Sequence, residues 1–212
     1  MVILVTHNRH SYNRQAAGYE KRWKAYLDHT HKEFLRRIEV RKADRVLDIS
    51  CGTGLLAEEL IKRNAPFGEL VLNDISEEMI AIARQRVGEH PNINFTDYPA
   101  DQFPEPAQLF DLILCLNAFH HYGNQKQVVE HFHTHLKPGG RVCILDWNRI
   151  GLFRPVNKII NWITPEHIET RSDREMKALL TQAGFTIQSL DIWPFRYWRF
   201  FYFEAKRITN IE

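Results

Sequence analysis

The chain has 212 residues, a formal net charge of +2 and 44% hydrophobic residues. This is the composition of one globular domain with small appendages, and it excludes wholesale disorder, collagen-like repeats and coiled coils. The charge is nonetheless uneven, because residues 1–42 contain ten Lys and Arg against four Asp and Glu. A solvated helix face or an anionic partner would each explain this basic stretch.

The cysteines and the hydropathy bear on the compartment. Cys51, Cys115 and Cys143 form no Cys-x-x-Cys pair and have no zinc-site spacing. An odd number of cysteines without a secretory signal is typical of a reducing compartment, so we expect a cytoplasmic protein. No stretch approaches the roughly 18 apolar residues of a membrane span.

Hydrophobic periodicity predicts the elements in chain order. Apolar residues recur at three- and four-residue steps over residues 15–41, which predicts one or two amphipathic helices. Short β-rich segments then alternate with helical segments. Such alternation predicts a parallel sheet with right-handed crossovers in an open, doubly wound α/β fold. The predicted strands are 45–49, 69–73, 92–95, 110–116 and 141–145, and the helices include 55–64, one opening at Ser76, and 125–136.

The C-terminal third is less regular. Residues 147–171 lack a clean period and indicate an insertion with a short helix near 156–163. Ser172-Asp-Arg-Glu175 predicts a capping box for the helix 176–183, which Gly184 would end. Two strands, 185–192 and 197–205, are expected to form an antiparallel pair after a turn at Pro194.

A glycine-bearing turn follows the first predicted strand. Gly52 and Gly54 would let a ligand approach the backbone at the start of a helix. The loop lacks the Gly-Lys-Ser/Thr of a Walker motif, and Ala57 interrupts the dinucleotide pattern G-x-G-x-x-G. Asp74, twenty residues after Gly54, suits a ribose diol, the alternative being a residue that only opens the next helix.

Five motifs in order resemble those of class I S-adenosylmethionine (SAM)-dependent methyltransferases, and most resemble the small-molecule group that includes the ubiquinone/menaquinone C-methyltransferases. The resemblance covers residues 12–205. It implies a Rossmann-like, mostly parallel seven-stranded sheet with an antiparallel last strand. It also implies a helical lid over residues 1–42 and a SAM-binding domain over 43–212, with its substrate-side insertion at 147–171. The motifs are VLDISCGTG (46–54), NDISEEM (73–79), FDLILCLNAFHH (110–121), LKPGGRV (136–142) and AGF (183–185).

The resemblance assigns cofactor-binding roles, with S-adenosylhomocysteine (SAH) as the product. Asp48 would lie near the methionine amine, Asn117 beside the methionine part, and Asp74 on the ribose. Ile75 would flank the adenine. The other residues implied in binding are Gly52 and Gly54 under the methionine part, Met79 of the second motif, and Tyr12 and Tyr19, which would close over the cofactor.

Two positions depart from the family pattern. Ser50 replaces the first glycine of the glycine-rich motif, and its small side chain is expected to be tolerated. The acidic residue that often binds the adenine amine aligns with Pro99. The following Ala100-Asp101 would take this role with a shift of one or two residues, or Asp97 would.

Methyl transfer needs alignment above all, and a base where the acceptor is an O–H or an acidic C–H. His120 and His121 follow the fourth strand at the ligand-binding edge and are the candidate bases. Alternatively, one of the two histidines is a buried structural residue and the other packs against the lid. Asp146 would orient an acceptor or cap the next segment, and Tyr19 is a candidate phenol contact.

No metal site is expected. His131 and His135 would share one face of a helix, and we interpret that face, with His133, as solvated. Nucleic acid is a poor substrate, because the net charge is near zero and no base-flipping motif is present.

The residues expected near the acceptor are mostly aromatic, which favours a small apolar or aromatic acceptor. They are Tyr12, Tyr19, Trp23, Phe119, Trp147, Phe153 and Trp162. The aromatic run 193–203 would form core or, if exposed, a dimer or peripheral membrane contact. Methylation of a membrane lipid or quinone, and a non-catalytic SAM-binding partner subunit, are the alternatives. The oligomeric state is left open.

Overall fold

The computed structural model describes residues 2–151, 155–163 and 168–208. Within these ranges the helices are α1 (Val2–Gln15), α2 (Tyr19–Arg37), α3 (Leu55–Lys62), α4 (Glu77–Val87), α5 (Gln125–His135), α6 (Val156–Ile163) and α7 (Asp173–Gln182). The strands are β1 (Arg45–Asp48), β2 (Glu69–Asn73), β3 (Ile93–Thr96), β4 (Phe110–Leu116), β5 (Leu136–Trp147), β6 (Phe185–Phe195) and β7 (Trp198–Arg207).

The described strands form one seven-stranded sheet in the order β3-β2-β1-β4-β5-β7-β6. Strands β1 to β5 pair in parallel, and β7 runs antiparallel to both β5 and β6. The predicted doubly wound sheet with an antiparallel last strand is therefore confirmed.

Helices cover both faces of the sheet. Strand β4 places Leu112 and Leu114 in one apolar cluster and Ile113 and Cys115 in the other, as the two-residue period of a strand requires. Helices α2, α3 and α4 pack on the first face, and α5 and α7 on the second. Burial on both faces accounts for the nearly continuous apolar sequence of β4.

The C-terminal hairpin turns later than predicted. Pro194 lies inside β6 and pairs with Arg199, while the turn is made by Arg196 and Tyr197. Strand β6 is at the edge of the sheet, so the missing N–H of a proline is tolerated there. Strand β7 lies between β5 and β6 with Trp198 and Phe200–Phe203 buried, so the second half of the aromatic run is core, whereas Tyr197 in the turn is exposed.

Strand β5 begins five residues earlier than predicted. Leu136 pairs with Phe110, and Arg141 pairs with Leu112, so the stretch 137–140 is an irregularity within the ladder. A Pro-Gly-Gly sequence therefore interrupts the pairing without ending the strand.

Hydrophobic periodicity did not predict helix α1, although the family resemblance implied a helical lid over residues 1–42. Its apolar residues are concentrated at its start, so the sequence has no helical stripe. Tertiary contacts hold this helix instead. Ser76 Oγ donates to Asn13 Oδ1 at 2.6 Å, and Arg9 Nη1 lies 3.9 Å from Glu77 Oε1.

The helix 156–163 and the Ser172–Glu175 capping box are confirmed. Helix α7 begins three residues before the predicted start, directly after its cap. Among the described helices, none has the length and hydropathy needed to cross a membrane.

Candidate active site

The carboxyl ends of β1, β2 and β4 meet at one edge of the sheet, where the turns that follow them enclose a cavity. Its walls are the turn 48–53, the start of α4 with Asp74, the loop 98–101, and residues 116–118 and 121–123 at and after the end of β4. Tyr12 and Tyr19 line it from the N-terminal helices. This is the edge at which open α/β sheets bind ligands.

The two glycines of the first turn have different roles. Gly52 lines the cavity with a φ of +53°, and a Cβ built there would meet no atom within 4 Å. Gly54 has a φ of +80°, and its Cβ would lie 3.0 Å from the Cβ of Ala83 in α4. Gly54 is not in the cavity lining. It is required because a side chain there would prevent the close packing of α3 on α4.

Asp74 ties the glycine turn to the start of α4. Its carboxylate accepts the backbone N–H of Gly52 and that of Ser76, each at 2.9 Å. Burial raises the pKa of Asp74 to about 6, and these two hydrogen bonds oppose the rise. The residue thus holds the backbone of Ser76, the N-cap of α4, and also presents a carboxylate to the cavity.

Asp48 is the cavity residue that best suits a cationic group. It lies in the cavity wall with 2% exposure, and its Oδ1 has no hydrogen-bond partner. Burial, and then the charge of Asp74, raise its pKa to about 8. The backbone N–H of Ser50 bonds to this carboxylate, and its unpaired second oxygen suits an ammonium group. SAM carries an ammonium, a ribose diol and a sulfonium. The two carboxylates and the open space at Gly52 therefore fit SAM.

The other predicted cofactor residues occupy the same cavity. Ser50, Ile75, Met79, Ala100, Asp101 and Asn117 all line it. Ser50 Oγ lies 2.8 Å from the hydroxyl of Tyr122, so the position of the missing motif glycine makes a polar contact. Asp101 is buried, whereas Asp97 is exposed and outside the lining.

Tyr12 joins α1 to the segment after β4. Its hydroxyl is 2.5 Å from His121 Nε2, and its ring makes edge contacts with the rings of Tyr19 and His121. Burial, and then neighbouring His120, lower the pKa of His121 well below its usual value. The imidazole is therefore neutral near pH 7, and the phenol donates to it.

A buried polar network holds Asn117, which has a φ of +57°. Its side-chain oxygen accepts from the Tyr26 hydroxyl at 2.8 Å, and its NH₂ donates to Thr30 Oγ1 at 2.7 Å. Trp147 Nε1 donates to the same Tyr26 oxygen at 2.8 Å. The sequence did not reveal Tyr26 and Thr30 as site residues; the one signal is a threonine on the buried face of α2.

His120 and Asp146 form a buried pair beneath the cavity. His120 Nδ1 donates to the Asp146 carboxylate at 2.6 Å, which also accepts the backbone N–H of His120 and that of Trp147. The imidazole of His120 stacks on the ring of Trp147, with 4.2 Å between the ring centroids. Neither His120 nor Asp146 is in the cavity lining, whereas His121 is.

Several predicted positions lie elsewhere. Phe119 is buried in the core on the face of α5 and α7, and Trp162 is 87% exposed. Trp23 and Trp147 pack against the core on the face of α2, and Phe153 is outside the described residues.

The prediction of a solvated histidine face is wrong for His135. This residue is 4% exposed, and its two ring nitrogens contact the carbonyls of His131 and Pro104. It packs edge-on against Phe103, which explains its burial. The three cysteines are buried thiols. Among the described residues, no three His, Cys, Asp or Glu side chains are grouped to hold a metal ion.

Comparison with known proteins gives one family. A family model described as a methyltransferase domain matches residues 12–190. The ubiquinone/menaquinone biosynthesis C-methyltransferase UbiE of Bordetella parapertussis is 30% identical over 148 residues, which are 69% of this chain and 54% of that protein. The chain thus spans about half the length of the curated relatives it matches.

Solved structures share the fold. A Haloferax volcanii methyltransferase, in complex with the Trm112 methyltransferase activator, has a TM-score of 0.80 at 18% identity, covering 96% of this chain and 99% of its own. The N-methyltransferase NodS of Bradyrhizobium japonicum, in complex with SAH, has a TM-score of 0.76 at 17% identity, covering 95% and 98%.

Proposed function

The chain belongs to the class I SAM-dependent methyltransferases, and from this premise we propose that it transfers a methyl group to a small apolar or aromatic acceptor. One observation carries the proposal. A single cavity joins two buried carboxylates, Asp48 and Asp74, to the neutral pair formed by Tyr12 and His121. The carboxylates suit a cationic cofactor, and the phenol and imidazole suit an acceptor that loses a proton.

When bound, SAM supplies an electrophilic methyl group on a sulfonium. We assign Asp48 to its ammonium group and Asp74 to its ribose hydroxyls, because both carboxylates retain acceptor capacity in the cavity wall. Asp101 is the better candidate for the adenine amine, since it is buried in the lining and Asp97 is not. The space beside Gly52 admits the ligand close to the backbone.

Proton transfer is assigned to Tyr12 and His121. An acceptor O–H or acidic C–H at the Tyr12 hydroxyl would pass its proton to the phenol oxygen as the phenol proton moves to His121 Nε2. His120 and Asp146 serve as a positioning pair, because they fix the segment that bears His121 and are themselves outside the lining. Tyr19 contacts Tyr12 and closes the same wall.

The acceptor class rests on the lining and on the relatives. Leu27, Ile49 and Leu116 give the cavity apolar walls, which favour an apolar or aromatic molecule. The curated relatives are named for ubiquinone and menaquinone biosynthesis, which keeps a quinone or membrane lipid as a second candidate.

Transfer of labelled methyl groups from SAM into a cell extract tests the proposal. Label in the organic phase, lost with Asp74→Ala and kept with the exposed control Asp97→Ala, is the expected result. Label confined to the aqueous phase would contradict an apolar acceptor. SAM binding without any transfer would favour the non-catalytic partner subunit.

The positioning role has its own test. Asp146→Asn should lower kcat more than it changes KM for the acceptor, and it should shift the pH profile of kcat, because the segment that positions His121 would lose its anchor. An unchanged pH profile in a folded variant would refute the role.

A further inference from the structure

The two amide side chains of helix α6 hydrogen-bond to the backbone of the segment that follows it. The carboxamide of Asn157 accepts the backbone N–H of Thr170 at 3.0 Å and donates to its carbonyl at 3.4 Å. Asn161 does the same with Ile168, at 2.8 and 3.0 Å. Ile168 and Thr170 are buried. Two bidentate contacts one turn apart therefore fix the rotation of the helix.

The consequence is an outward apolar stripe, which consists of Pro155, Ile159 and Trp162. These residues follow at steps of four and three, so they share one side of the helix. Pro155 is exposed, Ile159 is 51% exposed and Trp162 is 87% exposed. Lys158, also exposed, lies beside the stripe, and the helix contains no acidic residue. Among the side chains that the structure describes in α6, the two amides therefore hydrogen-bond to the protein while Ile159 and Trp162 face solvent.

The stripe is held at a fixed distance from the active edge. The segment behind α6 donates the Glu169 N–H to the carbonyl of His120 at 2.7 Å. Gln125 Nε2 donates to the Glu169 carbonyl at 2.6 Å, and the Arg149 N–H donates to the carbonyl of Arg171 at 2.9 Å. Helix α6 is therefore bonded, through one short segment, to the turn that carries His120.

We propose that the stripe docks on an anionic phospholipid bilayer. Three side chains expose on the order of 300 Å² of apolar surface, whereas each partner in a stable protein interface buries roughly 800 Å². Such an area suits insertion into a lipid headgroup region, where tryptophan is favoured. Lys158 is the one charged residue of α6 and is exposed, so the charge next to the stripe favours anionic lipid over neutral lipid.

Vesicle flotation tests the docking without SAM or an acceptor, so its outcome is separate from that of the methyl-transfer assay. The probe is phosphatidylcholine vesicles with and without 30% phosphatidylglycerol. We expect binding to the anionic vesicles that weakens with salt, and Trp162→Ala should reduce the partition coefficient by about tenfold or more. Tyr197→Ala is the matched control, because Tyr197 is 70% exposed on the β6–β7 turn.

Wild-type protein that does not float, or a Trp162→Ala variant that floats like wild type, would overturn the proposal. If the protein does not bind vesicles, but light scattering detects a dimer that Trp162→Ala dissociates, the stripe contacts a second copy of the chain. Because Trp162 is exposed, its replacement should leave the thermal unfolding midpoint unchanged, which separates docking from folding.

Discussion

Replacement of Asp48 by asparagine should make the ligand-free protein more stable at neutral pH. The pKa of this carboxyl is raised to about 8 in the folded protein, against about 3.9 in an unfolded chain. Between these two pKa values the carboxyl is protonated in the folded protein and ionised in the unfolded chain. The protonated carboxyl therefore stabilises the fold fully below the lower pKa, and this stabilisation is lost as the pH rises toward the upper one. The slope is about 1.4 kcal/mol per pH unit.

Asparagine does not titrate, so the variant isolates this slope. The free energy of unfolding of Asp48→Asn, relative to wild type, should rise by about 1.4 kcal/mol per unit between roughly pH 5 and 7 and level off above pH 8. Urea unfolding at several pH values measures it. A difference that stays constant across this range would refute the reasoning.

Ligand binding gives an independent measure of the same carboxyl. With a pKa of about 8, Asp48 is about 90% protonated at pH 7. An ammonium partner would displace that proton, so SAH binding should release about 0.9 proton at pH 7 and about 0.1 at pH 9. Calorimetry in buffers of different ionisation enthalpy counts the protons. Wild-type binding without proton release would show that Asp48 does not meet the cation, and Asp48→Asn should release close to none.

Three further changes have expected outcomes. Gly54→Ala should lower the free energy of unfolding by about 2–4 kcal/mol through strain and overpacking. Gly52→Ala, whose Cβ meets open space, should cost less stability but weaken SAH binding more. Urea unfolding measures the stability and calorimetry the SAH affinity, and equal effects of the two variants would contradict the assignment. Tyr26→Phe should cost about 1–3 kcal/mol, because it leaves the buried oxygen of Asn117 without its donor; an unchanged urea midpoint would argue against the network. Ser172→Ala should cost about 1 kcal/mol by removing the α7 cap, and the same measurement with no loss would show that the cap is dispensable.

The alternation of strands and helices predicted the sheet, because the burial of each strand sets the polarity of its own residues. Strand β4 is apolar throughout because it is buried on both faces, and such a segment is visible in the sequence alone. The cavity residues could also be predicted, because motif residues at the carboxyl ends of neighbouring strands must meet.

The remainder depends on contacts between distant segments. Ala83 makes Gly54 necessary, and Tyr26 reaches Asn117 across 91 positions of the chain. Helix α1 has no amphipathic stripe and is held by such contacts. Periodicity reports the environment of a segment and not the identity of its partner, so these features could not be read from the sequence.

The position of β7 has a consequence for biosynthesis. This strand is synthesised after β6 but lies between β6 and β5. While a nascent chain has emerged only as far as β6, the outer side of β5 has no neighbour, and its backbone groups form an open edge. The hairpin of β6 and β7 covers this edge when β7 pairs with β5. Completion of the sheet on the ribosome therefore waits for the last strand, and until then β5 is the surface that a chaperone would have to shield.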